Sequence, residues 1–303
     1  LRRSLFSRLL AVATLVCAAA CSPSAPAPSG AASRVVSLAP AFTETLIELG
    51  AADRLVGIGR FDPGVPGRPD LPRLGDAMSV NLESLTSLAP DLVLVNATVL
   101  AEKLSPLAPR IRVVELPTDR LEDAFKAIGE IARLTNKERE GTALVERLRE
   151  SLAAAKSRAE ARRAGGGKAP RVLVVVQRRP YYSAGKGSFV DDLLAAVGAE
   201  NVFGDIDRAW PTVGEEAIAA RAPDVILDAS VGDVDTEAGR AELLADWQRF
   251  PTIPAVKDGR VLVIREDAIF RAGPRIPEAI AVLERLLYGD GDKGKSPQGG
   301  EAK

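Results

Sequence analysis

The chain alternates short, unbroken apolar runs with longer stretches whose apolar residues recur at helical spacing. "RVVSLAP" (34–40) is an apolar run stopped by proline and predicts a buried strand. "AFTETLIELG" follows, with Leu46, Ile47 and Leu49 on one helical face and Gly50 as the end signal. "RLVGIG" (54–59) predicts a second strand, and the Pro- and Gly-rich "FDPGVPGRPDLPRLG" (61–75) an irregular loop. A helix over "NLESLTSLAP" then feeds the strand "DLVLV", a short helix near 100–107 and the strand "RVVEL" (112–116).

The second half repeats this plan. "RVLVVVQ" (171–177) reads as a strand, and "FVDDLLAAVGAENVFG" (189–204) echoes "TLIELGAADRLVG". The helix "EEAIAARAP", the strand "DVILD", a helix near 242–249 and the strand "RVLVI" (260–264) complete it. Superposing the two Ala-Pro-Asp triplets places Glu83 on Glu216, Leu85 on Ile218 and Leu94 on Leu227. Strands alternating with helices predict α/β lobes with mostly parallel sheets, here two of one plan. Between them, Leu121, Phe125, Ile128, Ile131 and Ala132 form a helical stripe. Thr135 and Glu138 have capping-box spacing, and the helix they open is expected to run to about Arg162, roughly 40 Å at 1.5 Å per residue. "AGGGK" (164–168) ends it. A single rigid helix spanning two lobes predicts only a modest hinge. The expected boundaries are a leader over 1–20, a linker over 21–33, a first lobe over 34–118, helices over 119–168, a second lobe over 169–288 and a disordered tail over 289–303.

Composition narrows the chemistry. The 303 residues are 46% hydrophobic with a net charge of −1, enough for real cores and without the basic excess of a nucleic-acid binder. There is no His, which removes the usual general base and the commonest transition-metal ligand. The two Cys, Cys17 and Cys21, lie near the start, so no disulfide framework or Cys-rich metal site exists. "LRRSLFSRLLAVATLVCAAAC" has a basic start, an apolar run too short to favour a membrane span, and a small-residue end: a secretory signal. Its Ala-Ala-Ala-Cys ending resembles a bacterial lipobox, which implies lipidation of Cys21; an ordinary signal peptide with an incidental Cys is the alternative. "SPSAPAPSGAAS" then reads as a flexible spacer.

Enzyme motifs fail. "GKGS" (185–188) lacks phosphate-loop spacing, "GGG" (165–167) precedes a strand instead of following one, and no G-x-S-x-G occurs. "DVDTEAG" (233–239) and "DGDKGK" (290–295) lack the calcium-loop glycine and read as solvated acidic loops. Ligands of open α/β sheets gather beyond the carboxyl ends of the strands. The segments there carry Phe61, Tyr181, Tyr182, Trp210 and Phe270, with Arg178, Arg179, Arg271 and Arg275 as donors. Aromatic faces with a few polar anchors suit a large, partly apolar ligand; the plainer reading is that several of these rings pack under loops.

Six pieces, "RVVSLAPAFTETLIELG", "VGIGRFD", "VNLESLTSLAPDLVLV", "PYYSAGKGS", "AWPTVGEEAIAARAPDVIL" and "FRAGPRI", together resemble the substrate-binding lipoproteins of ABC importers, above all the vitamin B12 (cobalamin) binding type. They run in order over nearly all of 34–288. The resemblance implies two α/β lobes joined by one long backbone helix, a ligand held between them and delivery to a membrane permease dimer. It implies that Glu83 and Glu216, one per lobe, dock into Arg pockets of the two permease subunits; the alternative is that each merely favours the positive end of its helix. It carries ligand contacts over to Phe61, Tyr182, Trp210, Asp267 and Arg271. One departure stands out: Ala77 occupies about the place of a further Trp in the cobalamin binders. Haem or a ferric siderophore is therefore the second expectation, with Tyr181 or Tyr182 as an oxygen ligand and Arg residues meeting carboxylates. The protein is expected to be no enzyme, to need no cofactor or resident metal, and to be a monomer, periplasmic or at the cell surface, anchored to a membrane by its lipid. The rival of another class is a secreted hydrolase using a carboxylate pair such as Glu44 with Asp62.

Overall fold

The computed structural model describes residues 30–76, 79–107, 110–230 and 236–289. The leader, Cys21, Ala77 and the tail beyond 289 lie outside them, and so do residues 233–235 of the acidic loop at 233–239.

The first lobe is a four-stranded parallel sheet. In chain order come β1 (Val35–Ser37), α1 (Pro40–Glu48), β2 (Leu55–Ile58), α2 (Leu82–Ser87), β3 (Leu92–Val95), α3 (Thr98–Leu104) and β4 (Arg112–Glu115). The strands lie in the order β2-β1-β3-β4, every neighbour parallel. Pro40 opens α1 at a position where a missing N–H costs nothing. The body begins earlier than Arg34: Ala32 is buried with its N–H on the Leu134 carbonyl, and Ser33 donates to Asp91 through both N–H and Oγ.

Two helices connect the lobes, α4 (Leu121–Leu134) and α5 (Glu138–Ala164). The 27 residues of α5 give a length of about 40 Å. The capping box does not form. Thr135 instead closes α4, its hydroxyl donating back to the Ile131 and Ala132 carbonyls, and Lys137 caps α5 without a side-chain bond. The reason is local: a hydroxyl that returns to the preceding turn is no longer available to the next one. Gly141 lets the two helices cross closely, since a Cβ there would lie 2.4 Å from that of Ala132.

The second lobe holds β5 (Arg171–Gln177), β6 (Tyr181–Ser183), α6 (Phe189–Val197), β7 (Glu200–Asn201), β8 (Thr212–Val213), α7 (Glu215–Arg221), β9 (Val225–Asp228), α8 (Glu237–Trp247), α9 (Pro254–Lys257), β10 (Val261–Val263) and α10 (Ile276–Tyr288). Its sheet runs β10-β9-β5-β6-β8, with β7 paired to β5. The β5, β7, β9 and β10 pairings are parallel, as the pattern predicts; β6 and β8 add antiparallel pairs in a region the sequence reads as loop.

The internal repeat is visible in the backbone. Ala89 and Ala222, each before Pro-Asp, both take left-handed φ, +43° and +45°. Asp91 and Asp224 each receive a backbone N–H from the start of a central strand, Arg34 at 3.1 Å and Arg171 at 2.9 Å. Leu85 and Ile218 are both buried beneath their helices. One continuous apolar cluster runs from Phe42 and Leu46 through Ile128, Ile131, Leu148 and Leu152 to Leu193, Leu194, Ile280 and Leu283. Elements of both lobes and the connecting helices share that core, so a large hinge motion would expose it.

Candidate functional site

The site is formed where segments leaving the carboxyl ends of strands from both lobes meet. After β1, helix α1 presents Ala41 and Glu44, three residues apart and so on one face. After β10, a 3-10 turn (Asp267–Phe270) leads into the segment ending at Arg275. The two touch twice. A Cβ added at Gly273 would lie 3.2 Å from that of Ala41, so the chain passes the helix with no room to spare. Beside it, Arg271 Nη1 donates to Glu44 Oε1 at 2.7 Å, and both side chains are largely buried. Arg271 Nη2 is 2.5 Å from Asp267. Arg275 bridges Asp267 at 2.7 Å and Glu278 at 2.6 Å, and lies 3.6 Å from Glu44.

Asp62, four residues past the end of β2, lies close enough to feel the charges of Arg271 and Glu44. Its Oδ2 accepts from Thr43 Oγ1 at 3.0 Å and from the Gly59 N–H at 3.2 Å, and the Ser37 hydroxyl lies 2.8 Å from that of Thr43. Burial pushes its pKa up to about 6, against the opposing pull of those donors and of Arg271. Asp62 Oδ1 and Glu44 Oε2 are buried with no hydrogen-bond partner. Of the carboxylate pair, Glu44 is bonded to a guanidinium and Asp62 to a buried hydroxyl.

The aromatic candidates separate. Phe61 is 64% exposed, with the Arg60 guanidinium 5.4 Å from its ring. Tyr182 is half-buried and pairs across the ladder with Gln177 and Thr212; Trp210, two residues before Thr212, is half-buried against the shared core. Phe270 also packs on that core. Tyr181 corrects the expectation. It is 5% exposed on the opposite face of β6, its ring 5.8 Å from Trp247 and its hydroxyl accepting from Arg249. Neighbouring strand residues point to opposite faces, so Tyr182 is turned away from the Trp247 side.

Arg178 is likewise corrected. It donates to Asp228 at 3.0 Å and Asp246 at 2.9 Å and lies over the Trp247 ring, while Trp247 Nε1 donates to the same Asp228 at 2.8 Å. Asp228 is fully buried at the end of a central strand, and this cluster satisfies it. Sequence reasoning missed both Glu44 as a salt-bridge partner and Asp228. A buried-strand run ending in Asp was the available signal for the second.

Asp267 and Arg271 follow β10 at one edge of the second sheet, whereas Tyr182 and Trp210 lie on or just before β6 and β8 at the other. Four strand spacings separate β10 from β8, about 19 Å. Glu83 and Glu216 each sit in the first turn of a short helix, exposed, and neither has an ion-pair or side-chain hydrogen-bond partner among the described residues. The neighbouring Glu215 is different, being paired with Arg249. Among the described residues no cluster of three or more acidic or sulfur ligands is placed to hold a metal, and no helix is long and apolar enough to cross a membrane.

A family model described as periplasmic binding protein matches residues 35–268. The chain belongs to this family. It is similar to the ABC transporter substrate-binding lipoprotein YvrC of Bacillus subtilis, 28% identical over 85% of this chain and 80% of that one. It is 29% identical to the vitamin B12-binding protein of Salmonella typhi, over 81% of this chain and 86% of the relative. Among solved structures, a periplasmic haem-binding protein in complex with two haems matches with a TM-score of 0.72 at 29% identity, over 85% of this chain and 98% of that one. The two lobes and long connecting helix of this periplasmic binding protein are the shared architecture.

Proposed function

We propose that the protein is the lipid-anchored solute-binding component of an ABC importer, taking a large metal chelate, cobalamin or a related corrinoid first, between its lobes. The observation that carries this reading is the sheet order, which puts β10, followed by Asp267 and Arg271, at one edge and β8, preceded by Trp210, at the other, four strand spacings or about 19 Å apart. A broad planar ligand reaches both edges; a sugar or amino acid does not. Phe61 from the first lobe, Tyr182 and Trp210 offer apolar faces, and Asp267 and Arg271 offer polar anchors. Relatives named for vitamin B12 or cobalamin support the choice.

In the same reading Glu83 and Glu216 meet Arg residues on a permease dimer. Two carboxylates in repeat-related places, unpaired among the described residues, fit a partner of roughly two-fold symmetry. Haem or a ferric siderophore is the second ligand class, favoured by Arg271 and Arg275 and by similarity to a haem-binding structure. Thermal unfolding with cyanocobalamin, ferric siderophores and haem tests the choice. A ligand at a hundredfold excess over Kd adds about 2.7 kcal/mol of stability. A shift with cyanocobalamin supports the corrinoid reading, a shift only with haem or siderophores moves it to the second class, and no shift with any removes both.

A further inference from the structure

The cleft holds a charge pair that joins the lobes without any ligand. Glu44 stands on the second turn of α1 in the first lobe, and Arg271 lies past β10 in the second, 227 residues away. Their 2.7 Å contact is largely covered from solvent. It sits beside the Ala41–Gly273 approach, where a Cβ on residue 273 would come within 3.2 Å of that of Ala41. Two adjacent contacts on one helix face, one steric and one ionic, define a distance and an orientation between the lobes.

The surroundings explain why a charge is used here. Arg271 is shared between Glu44 and Asp267, and Arg275 between Asp267 and Glu278. Asp267 is about half exposed and anchored on its own turn, so by itself it leaves the guanidinium free to swing outward. Glu44 is the member of this cluster contributed by the opposite lobe through a helix rooted in the shared core. A guanidinium held in a planar fork loses less freedom on meeting a ligand than one searching in solvent.

We propose that Glu44 is a positioning residue: it holds Arg271 across the cleft and so sets lobe spacing before any ligand arrives. Phe42, Leu46 and Leu49 bury the opposite face of α1, so the helix transmits the position of the first lobe to the guanidinium. The ligand half of the test rests on the reading above; the spacing half does not.

The experiment is hydrogen exchange on the ligand-free full chain, comparing wild type with Glu44→Gln and Glu44→Asp, followed by titration of each with cyanocobalamin. In Glu44→Gln, amides of residues 40–48 and 267–275 exchange about tenfold faster, the loss of one charge-assisted bond, while β3 and β9 keep their protection. Glu44→Asp, charged but one methylene short, falls between. Cyanocobalamin affinity drops about tenfold in Glu44→Gln. Unchanged exchange in both segments overturns the proposal, and so does an equal rise throughout the chain, which marks a merely structural role. Wild-type affinity in Glu44→Gln overturns the part that concerns ligand capture. If wild type itself does not bind cyanocobalamin, the corrinoid reading fails, and the exchange data alone decide the role of Glu44.

Discussion

Glu44 and Arg271 face each other across the two lobes with 2.7 Å between oxygen and nitrogen, each mostly withdrawn from water. Breaking such a pair from one side strands the other charge. A double-mutant cycle of Glu44→Gln and Arg271→Gln by urea unfolding at neutral pH is expected to give a coupling energy of about 1–3 kcal/mol. Additive effects would mean that the two side chains are independent in solution.

Asp62 makes stability pH-dependent. Its folded pKa, raised to about 6 by burial, lies above the ordinary carboxylate value of 3.8. Between these values the folded state holds a proton that the unfolded chain has released. The contribution of Asp62 is therefore fully present below about pH 4 and is lost as pH rises through 6, by roughly 2–3 kcal/mol. Asp191, also raised by burial, acts in the same direction, and Glu278 and Glu130, lowered by Arg275 and Arg133, act oppositely. The difference between wild type and Asp62→Asn across pH 4–7 isolates the one group. Parallel stability curves for the two proteins would contradict it.

Glu83→Arg and Glu216→Arg separate capture from delivery. Each is expected to lower cellular uptake of the ligand about tenfold while leaving the affinity of the purified protein unchanged. Both positions are exposed, so stability should move by less than about 1 kcal/mol. Uptake at the wild-type rate in both variants would leave these carboxylates with no role beyond their helix ends.

Asp228→Ala removes the acceptor shared by Arg178 and Trp247. Arg178 keeps Asp246 and the Leu243 carbonyl but loses its buried acceptor, and the Trp247 indole N–H is left unmatched; the expected cost is about 2–4 kcal/mol in urea unfolding. Loss of near-ultraviolet ellipticity from Trp247 below the wild-type midpoint would accompany it. A cost under about 1 kcal/mol would mean that water replaces the carboxylate.

Much of the architecture was legible because it depends on nearest neighbours in the chain. The apolar runs at Val35–Ser37, Leu92–Val95 and Val225–Asp228 are buried strands, and the stripe from Leu121 is a helix. The paired Ala-Pro-Asp triplets showed the repeat, and the exposed places of Glu83 and Glu216 followed from it. The antiparallel β6 and β8 were not legible. They have only three and two residues, too few for a period to declare itself, and they exist because β5 offers an edge to pair with.

The sequence by itself determined the order of elements, the two-lobe plan and the spanning helix, because hydrophobic periodicity and turn chemistry act over a few residues. Only the tertiary structure decided which tyrosine is buried against Trp247, since a one-residue difference in strand register exchanges the faces. It alone paired Arg178 with Asp228 and Arg271 with Glu44. A charge with several candidate partners finds its own only where packing of the core brings one of them within reach and excludes water from the contact.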